Sequence, residues 1–228
     1  MAFRLAILVW AALAVTGCGR SASYRYKLTL SVNTPDGVKT GFNVVEVDYW
    51  AVSFPAQGEP HKIHGQGLYL DLGPGRRPLI ALLTHIYRRS DSPLNMPWLG
   101  DDPIRIVARL CLNVTAIYSW IDVASKFDQC RSNSSIMPAD LPDIVTFADV
   151  NDPGSIMLVD PNDLSATFGA GITWNSMTIQ ATDESLTKDI DQRLPWVRHY
   201  QPNININIPN PASPTETYVG WSDFLRGD

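Results

Sequence analysis

Charged side chains are scarce. Asp, Glu, Lys and Arg make up 18% of the 228 residues, against about 25% in an average domain, and the formal net charge is −5. A mildly acidic chain without basic stripes lacks what nucleic acid binding demands. It also lacks a polybasic face for anionic lipid. Histidine is limited to four residues. Only His61 and His64 stand close together, and no Cys, His or Glu pair nearby completes a four-ligand set, so loop histidines and no metal or other cofactor are expected. Internal repeats and low-complexity tracts are missing. Beyond residue 18 there is no apolar run of membrane-spanning length, about 18 residues. Aromatic residues are not scarce: seven Trp and eight Tyr argue against a disordered body.

The sequence is equally poor in catalytic signatures. G-x-S-x-G does not occur. Gly73-Pro74-Gly75-Arg76-Arg77 lacks the lysine of a phosphate loop, and Gly169-x-Gly171 meets Trp174 where a dinucleotide fingerprint needs glycine. Ser185-x-x-Lys188, Ser31-x-Asn33 and Lys39-Thr40-Gly41 resemble the three motifs of penicillin-binding enzymes. Their order along the chain is inverted, and two of them share one hairpin, so bland positions in a helix start and a solvated turn are expected. Asp149 to Asp160 matches part of a calcium loop, but Pro153 stands where an oxygen ligand belongs and the flanks read as strands. No calcium is expected there. Asn113-x-Thr115 and Asn133-x-Ser135 are glycosylation sequons, which lose their relevance if the N-terminal segment places the chain in a bacterium, and the terminal Arg226-Gly227-Asp228 is taken as coincidence.

The N-terminus carries Arg4 and then an apolar stretch, Leu5 to Val15, of about ten residues. That length suits a signal peptide and falls short of a span of about 20. The tetrad Val15-Thr16-Gly17-Cys18 resembles the lipobox of bacterial lipoproteins. The resemblance implies lipid transfer to the Cys18 thiol, cleavage before it and acylation of the new amino group. Two or more acyl chains anchor stably where one does not. The alternative is an ordinary secretory leader or signal anchor. The expected organisation is a signal peptide at 1–17, a lipidated tether at 18–23 and one globular domain at 24–228. Loss of Arg4 with the leader moves the formal charge to −6. Gly19 in place of Asp points to the outer membrane, with the body facing the periplasm. Cys111 and Cys130 then remain as a pair in an oxidising compartment, and a disulfide is expected; two buried free thiols are the alternative.

Tyr24 to Val32 alternates strictly, with Tyr24, Tyr26, Leu28, Leu30 and Val32 on one face. Turn residues 33–37 follow, then a second strand over Asn43–Ser53 with Val45, Val47, Tyr49 and Ala51 inward. Residues 57–66 read as loop, 68–72 and 78–84 as apolar strands, and 88–103 as irregular. Spacings of three and four predict helix from Ile104 to Phe127. In one continuous helix, positions 111 and 130 would lie about 28 Å apart, whereas a disulfide needs about 7 Å. A break near Asn113, with helix resuming over about 115–126, reconciles the two. Residues 131–143 read as polar loop. Strands are expected within 141–150 and at 156–159, 172–181 and 203–208. Helices are expected after an Asp160 cap, ending at Gly169, and from Thr182 or Asp183 to Leu194. Tyr218 to Trp221 is expected to pack back.

The run 141–196, with V-D-P-N-D-L-S-A-T-F-G-A-G-I and T-D-E-S-L-T followed by L-P-W, resembles an uncharacterised proteobacterial family of unknown function. It implies no activity. The expected fold is α+β, predominantly antiparallel β with two or three short helices; a β-sandwich with a helical insertion at 104–127 is the alternative. Two functions compete. One is a membrane-anchored envelope lipoprotein acting as a binding or structural module, with an envelope protein as partner and no catalytic residues. The other is an envelope hydrolase using Asp140, Asp143, Asp149, Asp152, Asp160 and Asp163, which would have to converge in a cleft.

Overall fold

The alternating N-terminal segment forms the spine of the fold. In the computed structural model, which describes residues 19–53, 57–83, 103–114, 116–137, 140–199, 206–208, 217–219 and 221–227, β1 (Ser21–Thr34) pairs antiparallel along its whole length with β2 (Gly37–Trp50). Pro35-Asp36 is the two-residue turn, closed by Thr34 opposite Gly37, whose φ is 103°. Tyr24, Tyr26, Leu28, Leu30 and Val32 are all buried, as are Val45, Val47 and Tyr49 of β2. Ala51 is not: the chain leaves the ladder after Trp50 to form a bridge between Val52 and Gly58, and Ala51 is exposed.

The far side of β1 pairs with β9 (Thr173–Ala181), which pairs in turn with β6 (Ser134–Ile136). The far side of β2 pairs with β3 (His61–Gln66), and β3 with the C-terminal β12 (Leu225–Arg226). This six-stranded sheet, β12-β3-β2-β1-β9-β6, includes two strands in stretches expected to be loop, 57–66 and 131–143. Both are short, and each gives only one apolar residue to the core, Ile63 and Ile136, too little for a visible period.

A second antiparallel sheet, of four strands, consists of β4 (Leu68–Leu70), β5 (Leu79–Ala81), β7 (Ile144–Phe147) and β8 (Ile156–Leu158). It is buried on both faces. Leu68, Leu70, Leu79, Ala81 and Ile144 face the six-stranded sheet in one core. Ile80, Val145, Phe147 and Ile156 face a second core. That core is closed by α4 (Ile190–Arg193), Trp196 and Phe224, with Trp196 and Phe224 edge to face at 5.3 Å. The continuous apolar runs of β5 and β7 follow from this double burial. Phe224 of the tail fills this core; the expected packing of Tyr218 to Trp221 lies outside the residues whose side chains are described. β10 (Ile206–Ile208) and β11 (Thr217–Val219) pair with each other. Residues 203–205, and 88–102 of the stretch expected to be irregular, lie outside the described residues.

The fold is therefore α+β, dominated by antiparallel sheets with a few short helices. Within 104–127, α1 (Ile104–Leu110) ends before Asn113, which adopts φ 53°. Val114 N–H returns to Ala108 O at 2.8 Å. The resumed helix, α2 (Trp120–Ala124), is shorter than expected and is followed by one 3-10 turn at Phe127–Gln129. Cys130 is thereby brought to Cys111, and the two are disulfide-bonded with Cα atoms 5.7 Å apart. The helix α3 (Leu164–Phe168) is capped by Asp163 instead of Asp160, and ends at Gly169 as expected. The helix expected over 182–194 is reduced to α4. Thr187 is drawn into pairing with Val44 (Thr187 Oγ1 accepts Val44 N–H at 2.8 Å), and the stretch 182–189 is not helical.

At Gly67 the chain passes from one sheet to the other. A Cβ there would stand 2.8 Å from Ala81 O. Gly67→Ala is therefore expected to cost about 1–3 kcal/mol, as overpacking does, and to lower the melting temperature by several degrees in a thermal scan. Replacing both Cys111 and Cys130 by Ser should cost about 3 kcal/mol, since the bridge closes a loop of about 20 residues. Equal melting of the oxidised parent and the double variant would contradict this.

Candidate functional site

The sequence-nominated residues are dispersed. Cys18 lies outside the described residues. Asp149, Asp152 and Asp160 each accept a backbone N–H two residues on, at 2.9 Å, as turn-forming aspartates do. Asp163 accepts from Ser165 Oγ and Ala166 N–H, and these bonds hold its carboxyl below the usual range. Asp140 and Asp143 are buried, with Asp140 reaching Arg109 at 3.4 Å. The calcium-like string is interrupted by β8, so Asp149 and Asp160 flank opposite ends of a strand. Among the described residues no three His, Cys, Asp or Glu side chains gather as a metal set. Ser185 lies in the irregular stretch 182–189, not in a helix, and Ser31 Oγ meets Thr40 Oγ1 at 2.9 Å on the hairpin.

One constellation on the solvent face of β1, β2 and β3 contains Ser, Asp and His. Ser23 Oγ donates to Asp48 Oδ1 at 2.5 Å, and His64 Nε2 lies 3.1 Å from Asp48 Oδ2. The order is wrong for a nucleophile. The imidazole must stand between hydroxyl and carboxylate to take the hydroxyl proton, and here the carboxylate stands in the middle. His61 lies on the opposite face of β3, its ring 5.3 Å from Tyr49, so the two histidines cannot share a ligand.

The residues that do converge were not nominated. Pairing of β1 with β9 begins only at Tyr26 opposite Ala181, so Ser21 to Arg25 have β2 on one side alone. A two-residue turn closed by Thr34 and Gly37 makes even positions of β1 bond to β2 and odd positions face the other way. Accordingly Arg25 O accepts Thr182 N–H at 3.2 Å. Ser23, the next odd residue, turns its backbone N–H and C=O into a cleft of about 390 Å³ that opens to solvent.

The cleft has charged walls and an aromatic floor. Ala124, Ser125, Asp128, Arg131 and Asp183 border it, and Arg131 Nε donates to Asp128 O at 3.3 Å. The guanidinium of Arg131 grips Asp183 with two bonds, 2.6 and 3.2 Å, which lower the Asp183 pKa and raise that of Arg131. Arg25 pairs with Glu46 across β1 and β2. At the base, the Tyr24 and Phe127 rings stack at 4.2 Å. Three of the lining hydroxyls are engaged: Ser23 donates to Asp48, Ser125 donates to Asp122 O at 2.9 Å, and Thr182 accepts Glu184 N–H at 3.2 Å. Among the described residues no His lines the cleft. The cleft is a strand edge between ion pairs, and among the described residues that line it no nucleophile and base are in contact.

One wall depends on Glu59. Its carboxylate accepts from Ser119 Oγ at 2.8 Å, from Trp120 N–H at 2.5 Å and from Ile121 N–H at 3.2 Å, which fixes the start of α2. Ser119 also accepts Asp122 N–H at 3.2 Å. The spacing Ser119-x-x-Asp122 is the signal that could have placed this helix start. Burial raises the Glu59 pKa, but the bonds from Ser119, Ile121 and Trp120 outweigh it and leave it lowered. A depressed carboxyl pKa stabilises the fold fully above its unfolded value, about 4.3, and the contribution disappears as pH falls through the depressed value. Glu59→Ala should cost about 1 kcal/mol at neutral pH, the usual loss for a cap. The gap between parent and variant should close in acid. A gap that persists at the acid end of a pH series of melts would contradict this.

Comparison with protein-family models, with curated proteins and with solved structures finds no match to this chain.

Proposed function

We propose that the protein is a lipid-anchored binding module of the bacterial cell envelope, and that the cleft beside β1 receives an extended peptide segment of an envelope partner. Acyl chains on Cys18 hold it, with the outer membrane as the site and the periplasm as the compartment. The anchoring part rests on the tetrad Val15 to Cys18 after a short apolar core. The Cys111–Cys130 disulfide accords with an oxidising compartment. The binding part rests on one observation: the unpaired edge of β1 at Ser23 opens into a cleft whose walls carry both signs of charge. Strand addition draws affinity from main-chain bonds and specificity from flanking side chains. Ion pairs of both signs suit a polypeptide better than a uniformly charged ligand.

Two experiments test these parts separately. Cys18→Ala should abolish lipid attachment and detergent-phase partitioning of the full chain; unchanged partitioning would refute anchoring. For binding, a photo-reactive amino acid at Asp128 in the full chain should cross-link in cells to a partner at an extended segment. Ser23→Pro removes the edge N–H, a change that an edge strand tolerates, and should abolish that cross-link. Ser23→Ala should keep it. Survival of the same cross-link in Ser23→Pro, or its appearance from a probe at Thr40, would refute strand addition.

A further inference from the structure

If Cys18 carries lipid, the body has almost no slack. Gly19 follows directly, and Arg20 is already part of the fold. Its carbonyl accepts Ala51 N–H at 2.8 Å, and its guanidinium pairs with Asp122 of α2. The segment expected as a tether, 18–23, is therefore mostly structure, since β1 starts at Ser21. One extended residue spans about 3.5 Å, so the surface around Arg20 is held within a few ångströms of the lipid headgroups.

That surface exposes aromatic rings. Trp50 stands opposite Ser21 at the end of β2 and is 40% exposed, and Tyr118 is 98% exposed. A short chain of contacts joins them. Trp50 N–H donates to Pro60 O at 3.2 Å, and the neighbouring Glu59 holds Ser119 and the start of α2 beside Tyr118. Ala51 and Ala116 are also exposed there. The charges among these residues are already compensated, Arg20 by Asp122 and Glu59 by its three donors. Exposed Trp and Tyr beside compensated charge match the headgroup region of a bilayer, where amphipathic rings collect. Of the four other exposed large apolar residues among those described, Val38 and Phe42 lie toward the opposite end of the hairpin, and Leu110 and Met137 lie outside it.

We propose that this end of the body rests on the bilayer, with Trp50 and Tyr118 in the headgroup region, so that the lipid on Cys18 fixes one orientation of the protein. The proposal rests on the anchoring reading above. It places the cleft at Ser23 to Arg25 about 17–23 Å along the strand from Cys18, at about 3.3 Å per residue, clear of the lipid surface.

The test uses the mature protein purified from membranes, with the mass of its N-terminal peptide reporting lipid on Cys18. It is reconstituted into phosphatidylcholine and phosphatidylethanolamine vesicles whose acyl chains are brominated near the carbonyl end. Tryptophan emission should fall relative to unbrominated vesicles, and Trp50→Phe should remove most of that fall. A nitroxide on Tyr118→Cys should become several-fold more accessible to oxygen than to a water-soluble nickel chelate, and one on Asp36→Cys at the hairpin tip should not. Quenching that is unchanged in Trp50→Phe, or a water-accessible label at 118, would overturn the proposal when the lipid mass is present. Absence of the lipid mass would instead overturn the anchoring reading.

Discussion

Gln66 and Gly67 are where the structure is joined. Up to Gln66 the chain belongs to the six-stranded sheet, and from Leu68 it belongs to the four-stranded one. The Gln66 side chain is buried and bonded through both its nitrogen and its oxygen. Its amide nitrogen donates to Asp189 Oδ1, and its oxygen accepts from Asp189 and Ile190 N–H at 2.8 and 2.9 Å, which starts α4. Its backbone carbonyl accepts from buried Asn43 at 2.5 Å. Gly67 N–H donates to Phe224 O at 2.8 Å, and Leu83 N–H to Asp223 O at the same distance. Two sheets, the second core and the C-terminal strand thus converge on two residues. A polar side chain in this position has to satisfy every donor and acceptor, because a buried polar group left unmade costs about 1–3 kcal/mol.

The cleft follows from a mismatch of lengths. β1 and β2 have 14 residues each, and β9 has nine. The sheet therefore cannot cover the first residues of β1, and the 3-10 turn at Phe127–Gln129 and Arg131 close over the gap without filling it. The disulfide assists, since it holds Cys130 beside the end of β9, where Cys130 O accepts Ala181 N–H at 2.7 Å. Exposed strand edges invite pairing with other chains, and proteins usually shield them. Here the shielding is a set of ion pairs at the rim.

Much of this was legible locally. The hairpin could be read because one face of β1 is wet and the other dry, so the period of two survives in the sequence. The break in the helical stretch at Asn113 followed from the distance a disulfide tolerates. The rest depends on partners far away in sequence. Thr187 meets Val44 across 143 residues, and Glu59 meets Trp120 across 61. No periodicity encodes either contact, which is why a helix was expected over 182–194 and loop over 57–66. The cleft was invisible for the same reason: Arg131 and Asp183 are 52 residues apart.

The long ladder of β1 also has a mechanical consequence. A load entering at Ser21 would run along the strand axis, while the antiparallel bonds to β2 and β9 lie across it. Such a pull shears many bonds at once and cannot open them singly. A load at the C-terminal end first meets the two-residue pairing of β12 with Gly65 and Gln66, and then the single bonds of Phe224 O and Asp223 O. The molecule is strong when dragged from its first strand and weak when peeled from its last.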